Sequence, residues 1–118
     1  MKHLMRLHAK PFSMMEQGIK TIELRLYDEK RQTICIGDEI EFSNLSNERK
    51  RLTCIVKKLH IFPSFEALYA QLPLLKCGYT EEDIATASHT DMEQYYTKEE
   101  QKEYGVVGIE LQLTKEDI

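Results

Sequence analysis

Between Gly18 and Leu26 the chain reads GIKTIELRL, and its alternation leaves few choices of structure. Polar Thr21, Glu23 and Arg25 are threaded through apolar Ile22, Leu24 and Leu26, a period of two that predicts a strand. Side chains two apart on a strand share a face, so the three polar residues are expected together and the three apolar ones on the opposite side. Lys20 falls by parity on the apolar side. It stands at the strand's first residue, where its stem can bury its methylenes and curl the ammonium into the mouth of a cleft. The simplest reading of the polar side is a solvent-facing surface carrying a Glu23/Arg25 ion pair.

A chain of 118 residues suits a single domain, 1–118, with one core. With 42% hydrophobic and 31% charged residues it has the composition of a globular protein, and no apolar run approaches the roughly 18 residues of a membrane span. The start, MKHLMRLHAK, has no apolar core or small-residue cleavage site, so a soluble, cytoplasmic protein is expected. Cys35, Cys54 and Cys77 are odd in number and widely spaced, as reduced thiols are. His3, His8, His60 and His89 lack the tight pairing of a zinc set, and neither a metal nor another cofactor is expected.

Charge is divided unevenly. Residues 1–60 hold 12 Lys and Arg against 8 Asp and Glu, and residues 61–118 hold 4 against 12, so +4 and −8 give the net −4. Any contact with a polyanion must therefore use a local patch, drawn from Lys20, Arg25, Lys30, Arg31 and the run Arg49, Lys50, Arg51.

Other elements follow from local signals. His3–His8 alternates as a first strand, and PFSMMEQ is a short helix with Pro11 in its first turn and Gly18 at its end. Phe12 and Met15 on it read as core packing. Gly37-Asp38 introduces a strand over Asp38–Phe42. The polar stretch Asn44–Arg51 is expected as an exposed hairpin loop with a basic tip, leading to a strand over Leu52–Ile61. Ser64 caps a helix closed by Pro73. Thr80 with Asp83, and Thr97 with Glu100, predict helices near Glu81–His89 and Lys98–Tyr104, joined by Asp91–Tyr96. VVGIELQL then forms a last strand with Val107, Ile109, Leu111 and Leu113 on one face. The order β-α-β-β-β-α-α-α-β predicts an α+β fold, a small barrel of about five strands with peripheral short helices.

With these elements placed, the chain resembles the ASCH family, the activating signal cointegrator homology domains, whose fold is similar to PUA modules. The residues that carry the resemblance are PF with GIKTIELRLYDEKR, then IGDEIEF, SFEAL and YYTKEEQKEYGVVGIEL, nearly the whole chain. The resemblance implies a PUA-like barrel with a cleft lined by Lys20, Glu23 and Arg25 that takes RNA or a nucleotide-like ligand. The chemistry agrees with that implication. Lys20 offers a point charge for phosphate, and Arg25 a planar fork. Glu23 can accept from the exocyclic amine of cytosine or adenine. Tyr27, and Phe12 as an aromatic near the cleft strand in sequence, are candidates to stack an unstacked base, with core packing as the competing explanation for the tyrosine.

One branch of the family resembles an amidohydrolase that removes the acetyl group of N-acetylated cytidine with a lysine, a threonine and a glutamate. Its lysine matches Lys20. The threonine's place, three residues on, holds Glu23, and Lys76, Cys77 and Gly78 stand near the place of its glutamate. Thr21 and Glu23 could fill those roles only by exchange, so binding ranks above hydrolysis. A third class, a protein-interaction module, would use the acidic stretch Glu81–Glu103 as its contact surface.

Overall fold

The computed structural model describes residues 1–114; the last four residues of the expected domain lie outside the described residues. Five strands form one mixed sheet: β1 (Lys2–Leu7), β2 (Ile22–Leu26), β3 (Glu39–Asn44), β4 (Asn47–Phe62) and β5 (Val106–Leu113). Their order across the sheet is β1-β3-β4-β5-β2, with β1 parallel to β3 and the other pairs antiparallel. The α-helices are α1 (Ala9–Glu16), α2 (Phe65–Gln71) and α3 (Lys98–Tyr104). The sheet curls into a half-barrel, an α+β architecture consistent with a PUA-like fold.

The 16-residue β4 generates the curl. Its first part pairs with β3 and its second with β5, and the register shifts between Val56 and Lys58. An irregularity of that kind bends a strand and increases its twist. Inside the curl sits a core that includes Phe12, Met15, Ile40, Phe42, Val56, Val107 and Ile109. Each such side chain contributes roughly 1.5 to 3 kcal/mol by leaving water. On the outer side of β2 a second cluster joins Ile22, Leu24 and Leu26 to Phe65 and Leu68 of α2. The expected core roles of Ile22, Leu24 and Ile109, and of Phe12 and Met15, are observed.

Three expectations are corrected. Asn44–Arg51 is a tight turn rather than an open loop: Asn44 accepts a hydrogen bond from the Ser46 amide (2.8 Å), and the chain enters β4 at Asn47. The short amide side chain closes the turn, so Arg49, Lys50 and Arg51 lie on a strand. The segment Glu81–His89 is not an α-helix. Thr80 and Asp83 bond each other, a single 3-10 turn follows at Ile84–Thr86, and Ser88 with Asp91 forms a fresh capping box that opens a 3-10 stretch over His89–Gln94. Short polar side chains compete there with the helical ladder. The third correction concerns β2. Glu23 lies opposite Ile109 and Arg25 opposite Val107 in the β5 register, and residues directly opposed share a face. The polar face is thus the inner one, and both faces of the strand are covered.

The remaining local signals hold. Gly18 ends the α1 segment with φ +79°, a conformation only glycine adopts freely. Ser64 caps α2 by accepting from the Ala67 amide, and Thr97 with Glu100 completes the expected capping box of α3.

Candidate functional site

The inner polar face of β2 meets a cavity of about 590 Å³ at the gap between the sheet's two free edges. Lys20, Glu23 and Arg25 converge there as three of its lining residues. Lys20 and Glu23 are buried, at 5% and 6% exposure, which removes the solvent-facing ion pair expected from alternation alone.

The Lys20 ammonium does not curl into the mouth of the cleft. Its Nζ donates to the carbonyls of Ile22 and Cys77, both at 2.8 Å, and lies 3.2 Å from Glu23 Oε1. Three acceptors surround a group with three N–H donors, so Lys20 is consumed in building the floor. Gly78, at φ +112°, lies against this ammonium, and its backbone conformation is one that side-chain-bearing residues rarely adopt. Arg25 Nε donates to Glu23 Oε2 at 2.6 Å. Burial pushes the Glu23 carboxyl up, but Lys20 and Arg25 together outweigh it and hold the group below its ordinary value. Burial likewise works against the charge on Arg25, and Glu23 beside it overcomes that, with a net upward shift. The floor is therefore an ion-paired triad of buried Lys20 and Glu23 with half-buried Arg25.

Arg25 has a second duty. Its Nη2 donates to the Arg6 carbonyl at 2.9 Å, which spans the gap between β2 and β1. Two of its five donors are thus engaged, and the other three have no hydrogen-bond partner among the described residues.

Opposite the triad stands a wall that sequence reasoning did not identify, made by Tyr69, Tyr79, Tyr95 and Tyr96 with Asp91 and Met92. Tyr69 and Tyr79 share a hydrogen bond of 2.7 Å between their hydroxyls, and Tyr79 donates to Asp91 at 2.7 Å. Burial first, with the neighbouring Asp91, holds the Tyr69 phenol up at about 12. Tyr79 is likewise raised, by burial and by its bonds to Tyr69 and Asp91. Tyr96 stacks on Phe65 at 5.9 Å, while Tyr95 is 55% exposed at the rim. The available signal was the density of tyrosine between residues 69 and 96, with its adjacent YY pair. Arg6, His8 and Lys10 line the other side of the cavity.

Three residues singled out from sequence are not part of this lining. Tyr27 packs against the main core, and Phe12 is buried within it at 1% exposure, so neither aromatic faces the cavity. Thr21 is held through its backbone, its amide donating to the Lys76 carbonyl and its carbonyl accepting from the Leu111 amide. The Cys77 thiol is pushed up to about 11, chiefly by burial, which leaves it a poor nucleophile. Among the described residues no group of three or more His, Cys, Asp or Glu side chains is placed to hold a metal ion, and no helix is long and apolar enough to cross a membrane. Among the described residues Cys35, Cys54 and Cys77 form no disulfide.

Comparison with known proteins points one way. A family model described as the ASCH domain matches residues 5–115. The crystal structure of the hypothetical protein PH0355 superposes with a TM-score of 0.79 at 31% identity, covering 97% of this chain and all of that one. A solution structure of protein PF0455 from Pyrococcus furiosus gives 0.72 at 28% identity, covering 98% and 99%. The crystal structure of a mutant ASCH protein from Zymomonas mobilis gives 0.67 at 10% identity, over 94% of this chain and 67% of that one, a likeness of fold alone. No curated protein matches in sequence.

Proposed function

Since the chain belongs to the ASCH domain family, which is associated with RNA binding, we propose that it is a one-domain cytoplasmic module for single-stranded RNA or a nucleotide. Its cavity takes one unstacked base that carries an exocyclic amine. The observation that carries this reading is a buried, ionised Glu23 facing a tyrosine wall. A carboxylate has about four lone-pair sites, and the two cations occupy one on each oxygen. What remains can accept from the amine of cytosine or adenine, the complement of an acceptor-only group. The free donors of Arg25 suit a base carbonyl or a phosphate, and Tyr95 and Tyr96 offer ring faces for stacking. In this reading Lys20 positions Glu23 and makes no phosphate contact of its own. Cysteines without disulfides among the described residues accord with the cytoplasm.

The test is titration of labelled single-stranded RNA into wild type, Arg25→Ala and Tyr96→Ala at two salt concentrations. Each substitution is expected to weaken binding by about tenfold or more, the worth of one charged hydrogen bond or one stacked base. The same preparations, incubated with N-acetylcytidine, are expected to release no cytidine. Unchanged RNA binding in both variants removes the cavity from consideration, and cytidine release abolished by Lys20→Ala would replace binding by hydrolysis.

A further inference from the structure

A second cavity, of about 580 Å³, adjoins the first, and Arg6 and Arg25 line both. Its lining adds Lys30, Arg31 and Arg51 to these two, giving five cations against the carboxylates of Glu41 and Glu48. Resting on the base-binding reading above, we infer that this groove holds the sugar-phosphate backbone flanking the base in the first cavity, so that the protein recognises a short RNA strand rather than a lone nucleotide.

The pairing of these cations decides for an anion. Arg51 is bonded to Glu41 at 2.9 Å, which Lys2 also approaches at 3.2 Å, so that carboxylate is neutralised. The side chains of Arg6 and Lys30 have no ion-pair partner among the described residues. Arg31 is half-used: Nη1 donates to Asp28 at 2.9 Å, while Nε is buried with no acceptor. A buried guanidinium N–H without a partner is unfavourable, and the Nε–Nη2 edge is the one that grips a phosphate with two parallel bonds. Asp28 meanwhile fixes the opposite edge. The charge excess is local to this groove in a chain whose net charge is −4, as expected for a partner met at one place.

Geometry also sets the order of the two subsites. Arg25 bonds Glu23 on the floor and reaches the Arg6 carbonyl at the boundary of the two cavities. A nucleotide seated on Glu23 thus has its sugar beside Arg25, and the next phosphate enters the groove toward Arg31 and Lys30. Stacking inside and charge outside is the division of labour that single-strand binders use.

The experiment compares cytidine, cytidine monophosphate and all-cytidine strands of two and four nucleotides, with the matching adenosine series, in competition against a labelled tetranucleotide. Wild type is expected to gain at least tenfold from nucleoside to tetranucleotide. That gain should shrink severalfold in Arg31→Gln and in the surface pair Lys30→Gln with Arg51→Gln. The slope of log affinity against log salt should fall by about 0.7 for each phosphate contact removed. Thermal melts of the surface pair establish that the fold persists. A length gain retained in both variants overturns the groove while leaving the cavity reading intact. Binding of the monophosphate as tight as that of the tetranucleotide assigns the groove to one terminal phosphate and overturns the strand. Failure of every nucleoside and strand to bind overturns the cavity reading with it.

Discussion

The floor and the wall of the cavity are held by different forces. The floor rests on β2, paired along its length with β5 and buried on both faces. Apart from Tyr69 on α2, the wall comes from residues 72–97, turns and 3-10 segments joined through side chains: Tyr79 to Asp91, Thr80 to Asp83 and Ser88 to Asp91. A ladder paired along its length and packed against α2 opens only when much of the molecule opens, whereas locally bonded turns open at lower cost. The contrast teaches that this cavity combines a floor held by the sheet with a wall held by local side-chain bonds, and the sharpest tests load one without the other.

The largest effect is expected at Glu23. Glu23→Ala strips the counterion from buried Lys20 and half-buried Arg25, and chemical denaturation should show a loss of about 3 to 5 kcal/mol. The same residue gives the floor an acid dependence. Because its folded carboxyl is held below the ordinary value of 4.5, Glu23 contributes stability that is complete above that pH and is lost as pH falls through the lower folded value. Melts of Glu23→Gln across this range should therefore show a shallower acid decline than wild type, and equal declines would mean that the carboxylate is not ionised in the fold.

Leu24→Ala comes next. It empties a position between β2 and α2, at a cost of about 2 to 5 kcal/mol, read from denaturant midpoints. A neutral result would mean that the outer face of β2 is not packed. The smallest effect belongs to the wall: Ser88→Ala should lower global stability by only about 1 kcal/mol. Amide exchange should nonetheless rise locally over residues 80–96. Uniform acceleration through β2 and β5 as well would erase the distinction between floor and wall.

How much of this was legible depended on the range of the interactions. The strand through Ile22, Leu24 and Leu26 and the caps at Ser64 and Thr97 are written in neighbours a few residues apart, and they appear as expected. Alternation separated Glu23 and Arg25 from their apolar neighbours but could not tell which side faced inward. That was decided by Ile109 and Val107, more than 80 positions away. The wall was the least legible part. Thr80 and Asp83 signal the start of a helix, but Ser88 and Asp91 interrupt it with a competing cap, and the tyrosines converge only once those turns are made. Tyr27 is near the cleft strand in sequence, yet it packs against the main core, and tyrosines from a distant segment line the cavity with Arg25.

β1 and β2 are the two free margins of the sheet, and the hydrogen bond between them among the described residues is the one from Arg25 to the Arg6 carbonyl. The seam is therefore a latch rather than a zipper: its state is set by one rotamer, not by the sum of many rungs. The same guanidinium borders both cavities. A ligand that uses only its spare donors leaves the latch fastened, and one that draws the Nη2 edge away releases it. Occupancy and the width of the mouth are in that sense a single variable, read at two places.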